Sequence, residues 1–206
     1  MMAIIEEIFV RTLQIIVVPT IERDILWIIA PLIFGLIMIQ MYFGKYKTEQ
    51  LGWNTAYSNT ISLMWVTFLL FKFMDDSYGL QTAWDTPGLH GQMLLVSSVG
   101  VLTLALAFFN YQHLLPKWIA FFLSSAVPTS IIAYLTIVVV MGRIPVDNIT
   151  LISGLILFLI VDVIFRIYRR SISSPYYVQK TLEKQEKKRK REISKVKRKI
   201  KEVTGK

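Results

Sequence analysis

Asp162 and Arg166 stand four residues apart inside an otherwise apolar run, ISGLILFLIVDVIFRIY. A carboxylate among hydrocarbon side chains is costly, and where it carries function it relays a proton or lines an ion path. With an arginine one helical turn away, about 6 Å along the axis, it also makes an ion pair. The guanidinium can then reach to the inner membrane surface, and this structural pairing is the favoured reading. A second constellation consists of amides and hydroxyls. Asn54 and Ser58 are four apart, as are Thr55 and Asn59, with Thr60 and Ser62 following, so they line one side of a helix. In lipid such groups need partners, and that side faces protein or water. Hydrogen bonds between helices would satisfy them, at about 0.6 kcal/mol each. A polar cavity or substrate path is the alternative.

Other chemistry-bearing residue types are sparse. The absence of cysteine excludes disulfides, thiolate metal sites and cysteine nucleophiles. The two histidines, His90 and His113, fall on opposite sides of the topology derived below and share no metal. No catalytic set, cofactor site or metal site is assembled, and the expectation is a protein that is not an enzyme.

The elements that must hold these residues are membrane helices. Hydrophobic residues make up 54% of the chain and are concentrated in runs, as a bilayer requires and a globular core does not. The runs predict an all-α, polytopic integral membrane protein with five transmembrane helices over 25–43, 53–74, 92–111, 118–141 and 149–168, forming a domain over 25–168. Residues 1–24 form an amphipathic segment, with Glu7, Arg11 and Gln14 on one stripe, and are expected to lie in the membrane interface, ended or bent by Pro19. Asp24 is a candidate cap for the next helix. Pro128 sits near the middle of the fourth run, and a packing kink is expected there.

Charge fixes an orientation. Residues 169–206 hold fifteen Lys and Arg against four Glu, net +11, while the rest of the chain nets −2. Lys45, Lys47, Lys117 and the tail fall on one side of a five-span topology, with Asp75, Asp76 and Asp85 on the other. The weak dissent of Arg143 is neutralised by Asp147. Basic loops mark the cytoplasmic side, so the N-terminus is expected outside a cell membrane and the C-terminus in the cytoplasm. The tail reads as a helix carrying Lys187, Lys188, Arg189, Lys190, Arg191, Lys197, Arg198 and Lys199. It suits anionic lipid at the inner surface, at about 1 kcal/mol per nearby basic residue. A cytoplasmic protein or ribosome is an alternative partner, and no specific nucleic acid is implied.

Three resemblances bear on function. The run YFGKYKTEQLGWNTAYSN resembles a stretch of small archaeal polytopic membrane proteins, which brings no activity with it. Glu6-Glu7-Ile8-Phe9-Val10-Arg11 and Phe109-Asn110-Tyr111-Gln112-His113 match in form two motifs of the intramembrane CAAX-type proteases, EExxxR and FxxxH. The third, histidine-led motif of that family does not follow, and the match is read as chance. An outer amphipathic helix, five spans and a basic tail are similar in topology to the YidC-type membrane insertases. Those carry a long hairpin between their first two spans and a basic residue in a hydrophilic groove. Here a short turn joins the two, and 25–43 has no charge. The leading expectation is an integral membrane subunit or scaffold with a basic docking tail. The alternative is a small transporter, channel or insertase using the polar intramembrane face. A membrane enzyme acting on lipid or peptide ranks third.

Overall fold

The computed structural model describes residues 2–47, 52–173 and 175–204, with side chains described over 4–47, 52–173, 175 and 178–193. Within them the chain is helical throughout, without strands. The helices are α1 Met2–Ile21, α2 Arg23–Lys45, α3 Trp53–Tyr78, α4 Leu80–Asp85, α5 Pro87–Gln112, α6 Lys117–Leu123, α7 Ala126–Met141, α8 Asn148–Ser171 and α9 Tyr176–Thr204. α2, α5, α8 and the stretch Lys117–Met141 are long and apolar enough to cross a membrane, making this a multi-pass membrane protein. Their outward faces require lipid: Trp27 is 78% exposed and Val101 68%. α3 has 26 residues, as many as α5, but its amides, hydroxyls and charges make it too polar to join those four.

α3 lies at the centre of the packing, against α5 and α7, while α2 packs on α7 and α8. The core is built from Ile29, Leu70, Met74, Met93, Val96, Ile137 and Val138. Gly100 lets α5 approach α3: a Cβ there would stand 3.2 Å from Thr67 Cγ2. α1 does not stand apart from the bundle. It packs along α8 and touches α2 and α7, with Ile15 wholly buried.

Several element boundaries differ from the expected ones. Glu22, not Asp24, occupies the N-cap position of α2, and Asp24 sits in its first turn, where a carboxylate favours the helix dipole. The expected loop 75–91 is mostly helical, because α3 continues to Tyr78 and α5 starts at Pro87. Proline is suited to that first position, where its missing N–H costs nothing. α1 runs past Pro19 to Ile21. Pro19 cannot donate to the Ile15 carbonyl one turn back. The Tyr134 hydroxyl donates to that carbonyl instead, at 3.0 Å.

The two ends of the bundle differ in charge. At one end the Lys47 ammonium donates to the Ile172 carbonyl at 2.9 Å, and Trp53 stacks on His113. At the other, Lys72 pairs with Asp76 at 2.7 Å, and Asp75 accepts from the Leu80 N–H at 3.3 Å. Asp147, which offsets Arg143 in the charge of their turn, makes its ion pair with Arg11 at 3.6 Å, while Arg143 lies over the Tyr78 ring at 5.7 Å.

Candidate functional site: a broken span and the basic cleft beside it

The fourth apolar run is a broken helix rather than a kinked one. α6 ends at Leu123, Ser125 is extended (φ −74°, ψ 158°) and α7 starts at Ala126. Pro128 explains the position of the break. In a continuous helix its ring would collide with the carbonyl four residues back, which belongs to Ser124, and it has no N–H to offer that carbonyl. The freed Ser124 carbonyl accepts from the Asn59 amide at 2.8 Å.

Asn59 belongs to a buried polar knot. The Asn110 amide donates to the Ser124 hydroxyl at 2.8 Å and to the Thr60 hydroxyl at 3.1 Å. Thr60 in turn donates to the Ala56 carbonyl at 2.9 Å. Thr60 and Ser124 are wholly buried and Asn110 nearly so. The knot ties α3 and α5 to the unwound link, with the Asn59 and Asn110 amides and the Thr60 hydroxyl each donating to a protein acceptor. The Asn110 side-chain oxygen, Oδ1, has no partner among the described residues.

The rest of the predicted polar face does not reach this knot. Asn54, Thr55, Ser58 and Ser62 are exposed on the outside of α3. Ser62 turns its hydroxyl onto the Ser58 carbonyl of its own helix, at 3.0 Å. The spacing therefore places two sets of polar groups on neighbouring faces, and only Asn59 and Thr60 turn inward. Asn110 entered the sequence reading only as part of a protease motif match. Its signal was an amide near the end of an apolar run.

A cleft of about 660 Å³ opens at the break, between α2, the α6–α7 link and α8. Gln40, Lys47, Ser125, Asp162, Arg166, Arg169 and Arg170 supply its polar lining, and Phe43, Phe121, Phe122, Ala126, Val127 and Pro128 its apolar lining. Asp162 and Arg166 are joined by a bond of 2.7 Å from Nε to Oδ2. The arginine side chain is 59% exposed and the carboxylate 20%. Asp162 thus enters the cleft already paired. Gln40, the strong polar residue of the first apolar run, is 4% exposed and its side-chain oxygen has no partner among the described residues.

Among the described residues Asp162 is the one acid lining this cleft and no imidazole joins it, and no three His, Asp or Glu gather as metal ligands. The two protease-like motifs lie at opposite ends. Arg11 is bound into the turn before α8 through Asp147, Thr150 and Pro145, whereas His113 stacks on Trp53. His90 Nδ1 donates to the Trp84 carbonyl at 2.9 Å.

Among the described residues the tail helix α9 is seated only at its start, where Val178 is buried. Lys187, Lys188, Arg189, Lys190 and Arg191 are exposed on it. The side chains of Lys197, Arg198 and Lys199, and of Tyr176 and Tyr177, lie outside the described residues. Comparison of the chain with protein-family models, with curated proteins and with solved structures gives no match.

Proposed function

We propose that the chain is a non-enzymatic membrane subunit or scaffold that crosses a cell membrane five times, N-terminus outside, and holds a basic helix at the inner surface to dock a partner. The carrying observation is α9: 29 residues long, joined to α8 by the four residues 172–175, seated at its start by Val178, which is 1% exposed, and exposing Lys187 to Arg191 beyond it. A helix with so many like charges does not persist as packing surface; it persists as a surface for something negative. The fifth crossing is assigned to α3, which equals α5 in length and packs beside it. The Lys47–Ile172 bond supports this, since it brings the α2–α3 turn and the end of α8 to one side. Positive residues at that end support a cytoplasmic placement.

The test is affinity purification from native membranes of the full chain beside a version ending at Ser174. A stoichiometric partner that vanishes with the tail is the expected result. An unchanged set of co-purifying proteins overturns the reading.

A second reading, a small transporter, channel or insertase, draws on the basic cleft at the broken span. Unwound helix beside a polar cavity is where carriers hold their cargo, and the cleft gives α8 the basic lining that the first span lacks. It predicts that Asp162→Asn or Asn59→Leu abolishes flux or insertion while folded protein remains. Unaltered flux removes it.

A further inference from the structure

The cleft has two properties that docking through α9 does not use. Its positive charge is not neutralised. Asp162 is occupied by Arg166, and neither Arg169 nor Arg170 has an acidic partner among the described residues. Lys47 gives one N–H to the Ile172 carbonyl and has two left. The cleft also holds an unsatisfied acceptor, the buried Gln40 side-chain oxygen. A ligand for this place carries negative charge and a hydrogen-bond donor. The first turn of α7 opens on the same cleft at Ala126 and Val127. Peptide N–H groups there lack partners inside the helix and favour an anion.

The second property is what lies next to it. A groove of about 300 Å³ runs between α2 and α3, with Met38, Ile39, Tyr42 and Phe43 on its α2 wall. Phe43 and Ala126 line both spaces. A charged chamber thus passes directly into a hydrocarbon one, at the end of the bundle where the spans stop.

We infer that cleft and groove together hold one anionic phospholipid with a hydroxyl-bearing headgroup. The phosphodiester lies on Arg169, Arg170 and Lys47, with the start of α7 behind it. A headgroup hydroxyl donates to Gln40. One hydrocarbon chain passes Phe43 and Ala126 into the groove. A free phosphate or a soluble phosphate ester shares the headgroup chemistry but leaves the groove empty, so the two sources are separable.

The probes are phosphatidylglycerol, phosphatidylcholine and inorganic phosphate, each offered to the full-length chain in detergent. Bound ligand is counted by native mass spectrometry from about 0.5 M ammonium acetate, where lipid held only by the exposed basic helix is screened away. One phosphatidylglycerol is retained and phosphatidylcholine is not. Arg169→Gln with Arg170→Gln weakens retention about tenfold or more, since two charge-assisted contacts are lost. Met38→Trp fills the groove from a half-exposed position and lowers phosphatidylglycerol retention to a similar degree, with the cations untouched. If the arginine pair variant does not stay monodisperse, Lys47→Gln takes its place. Equal retention of phosphatidylcholine overturns the proposal, as does wild-type retention in both variants. Inorganic phosphate competing fully while Met38→Trp changes nothing identifies a soluble-anion site and overturns the lipid assignment.

Discussion

Replacing Asn59 by leucine removes the donor that satisfies the Ser124 carbonyl at 2.8 Å. A buried acceptor left without a donor costs about 1–3 kcal/mol in soluble proteins. Between membrane helices the average loss is nearer 0.6 kcal/mol, because the reference state finds other partners. Ser124 is wholly buried and its peptide lies in an unwound link, where no neighbouring turn offers an N–H. The loss for Asn59→Leu is therefore expected toward the upper part of that span, about 1–2 kcal/mol. The need for Asn59 arises from Pro128, so the two positions are coupled although 69 residues separate them. Pro128→Ala removes the ring and restores an N–H, allowing α6 and α7 to join and the carbonyl to bond within the helix. Asn59→Leu in that background should cost about 1 kcal/mol less than in the native chain. Reversible unfolding in mixed detergent micelles, followed by helical circular dichroism over the four members of the cycle, measures this. Additive costs, within about 0.5 kcal/mol, would refute the claim that the proline creates the need the asparagine meets.

Asp147 caps α8 by accepting the Thr150 N–H at 2.7 Å. Desolvation pushes its carboxyl pKa up, but the hydrogen bonds from Thr150 and the nearby Arg11 outweigh this and leave it lowered. A lowered folded pKa stabilises above the unfolded value, about 3.9, and the benefit is lost as pH falls through the folded value. Asp147→Ala should cost about 1 kcal/mol at neutral pH and progressively less below about pH 4, as checked by thermal unfolding across pH. Tyr134→Phe should cost about 1 kcal/mol by leaving the Ile15 carbonyl unserved, and hydrogen exchange should show α1 loosening before the remaining helices. Because the chain has no cysteine, Lys45→Cys, Asp85→Cys and Lys187→Cys are clean reporters of sidedness. A membrane-impermeant maleimide applied outside intact cells should label the variant at 85 alone; labelling at 187 but not at 45 would mean that α3 does not cross.

The long apolar helices were legible because composition and length alone decide them: nothing but lipid accommodates a run such as Ile25 to Phe43. What escaped were pairings between residues far apart in the chain. Arg11 could not be matched to Asp147 from the sequence, where Asp147 counted only against the charge of its neighbour Arg143. Pro128 announced a distortion, but whether it bends or breaks the helix depends on a donor arriving from α3, which no local pattern encodes. The spacing of Asn54, Thr55, Ser58, Asn59 and Ser62 was read as one side of a helix, yet periodicity does not say which residues turn inward; Asn59 and the adjacent Thr60 do. The cleft was invisible because its lining comes from residues 40–47, 121–128 and 162–170, joined only when α2, α7 and α8 converge. Gln40 was the available clue, a strong polar residue deep in an otherwise apolar run.

Ile172 fits into the hollow at Gly44, where a Cβ would come within 2.5 Å of its Cδ1, and its carbonyl is tethered by Lys47. The tail therefore does not swing from the end of α8. Its pivot is bolted to α2, and the helix beyond it, seated at Val178, is about 43 Å long at helical rise. Such a helix is a lever: a load applied near its tip would be shared at Ile172 between α8, to which it is covalently joined, and the α2 end of the cleft, between Gln40 and Lys47. A partner engaging the tail would thereby have a mechanical handle on the chamber beside the broken span.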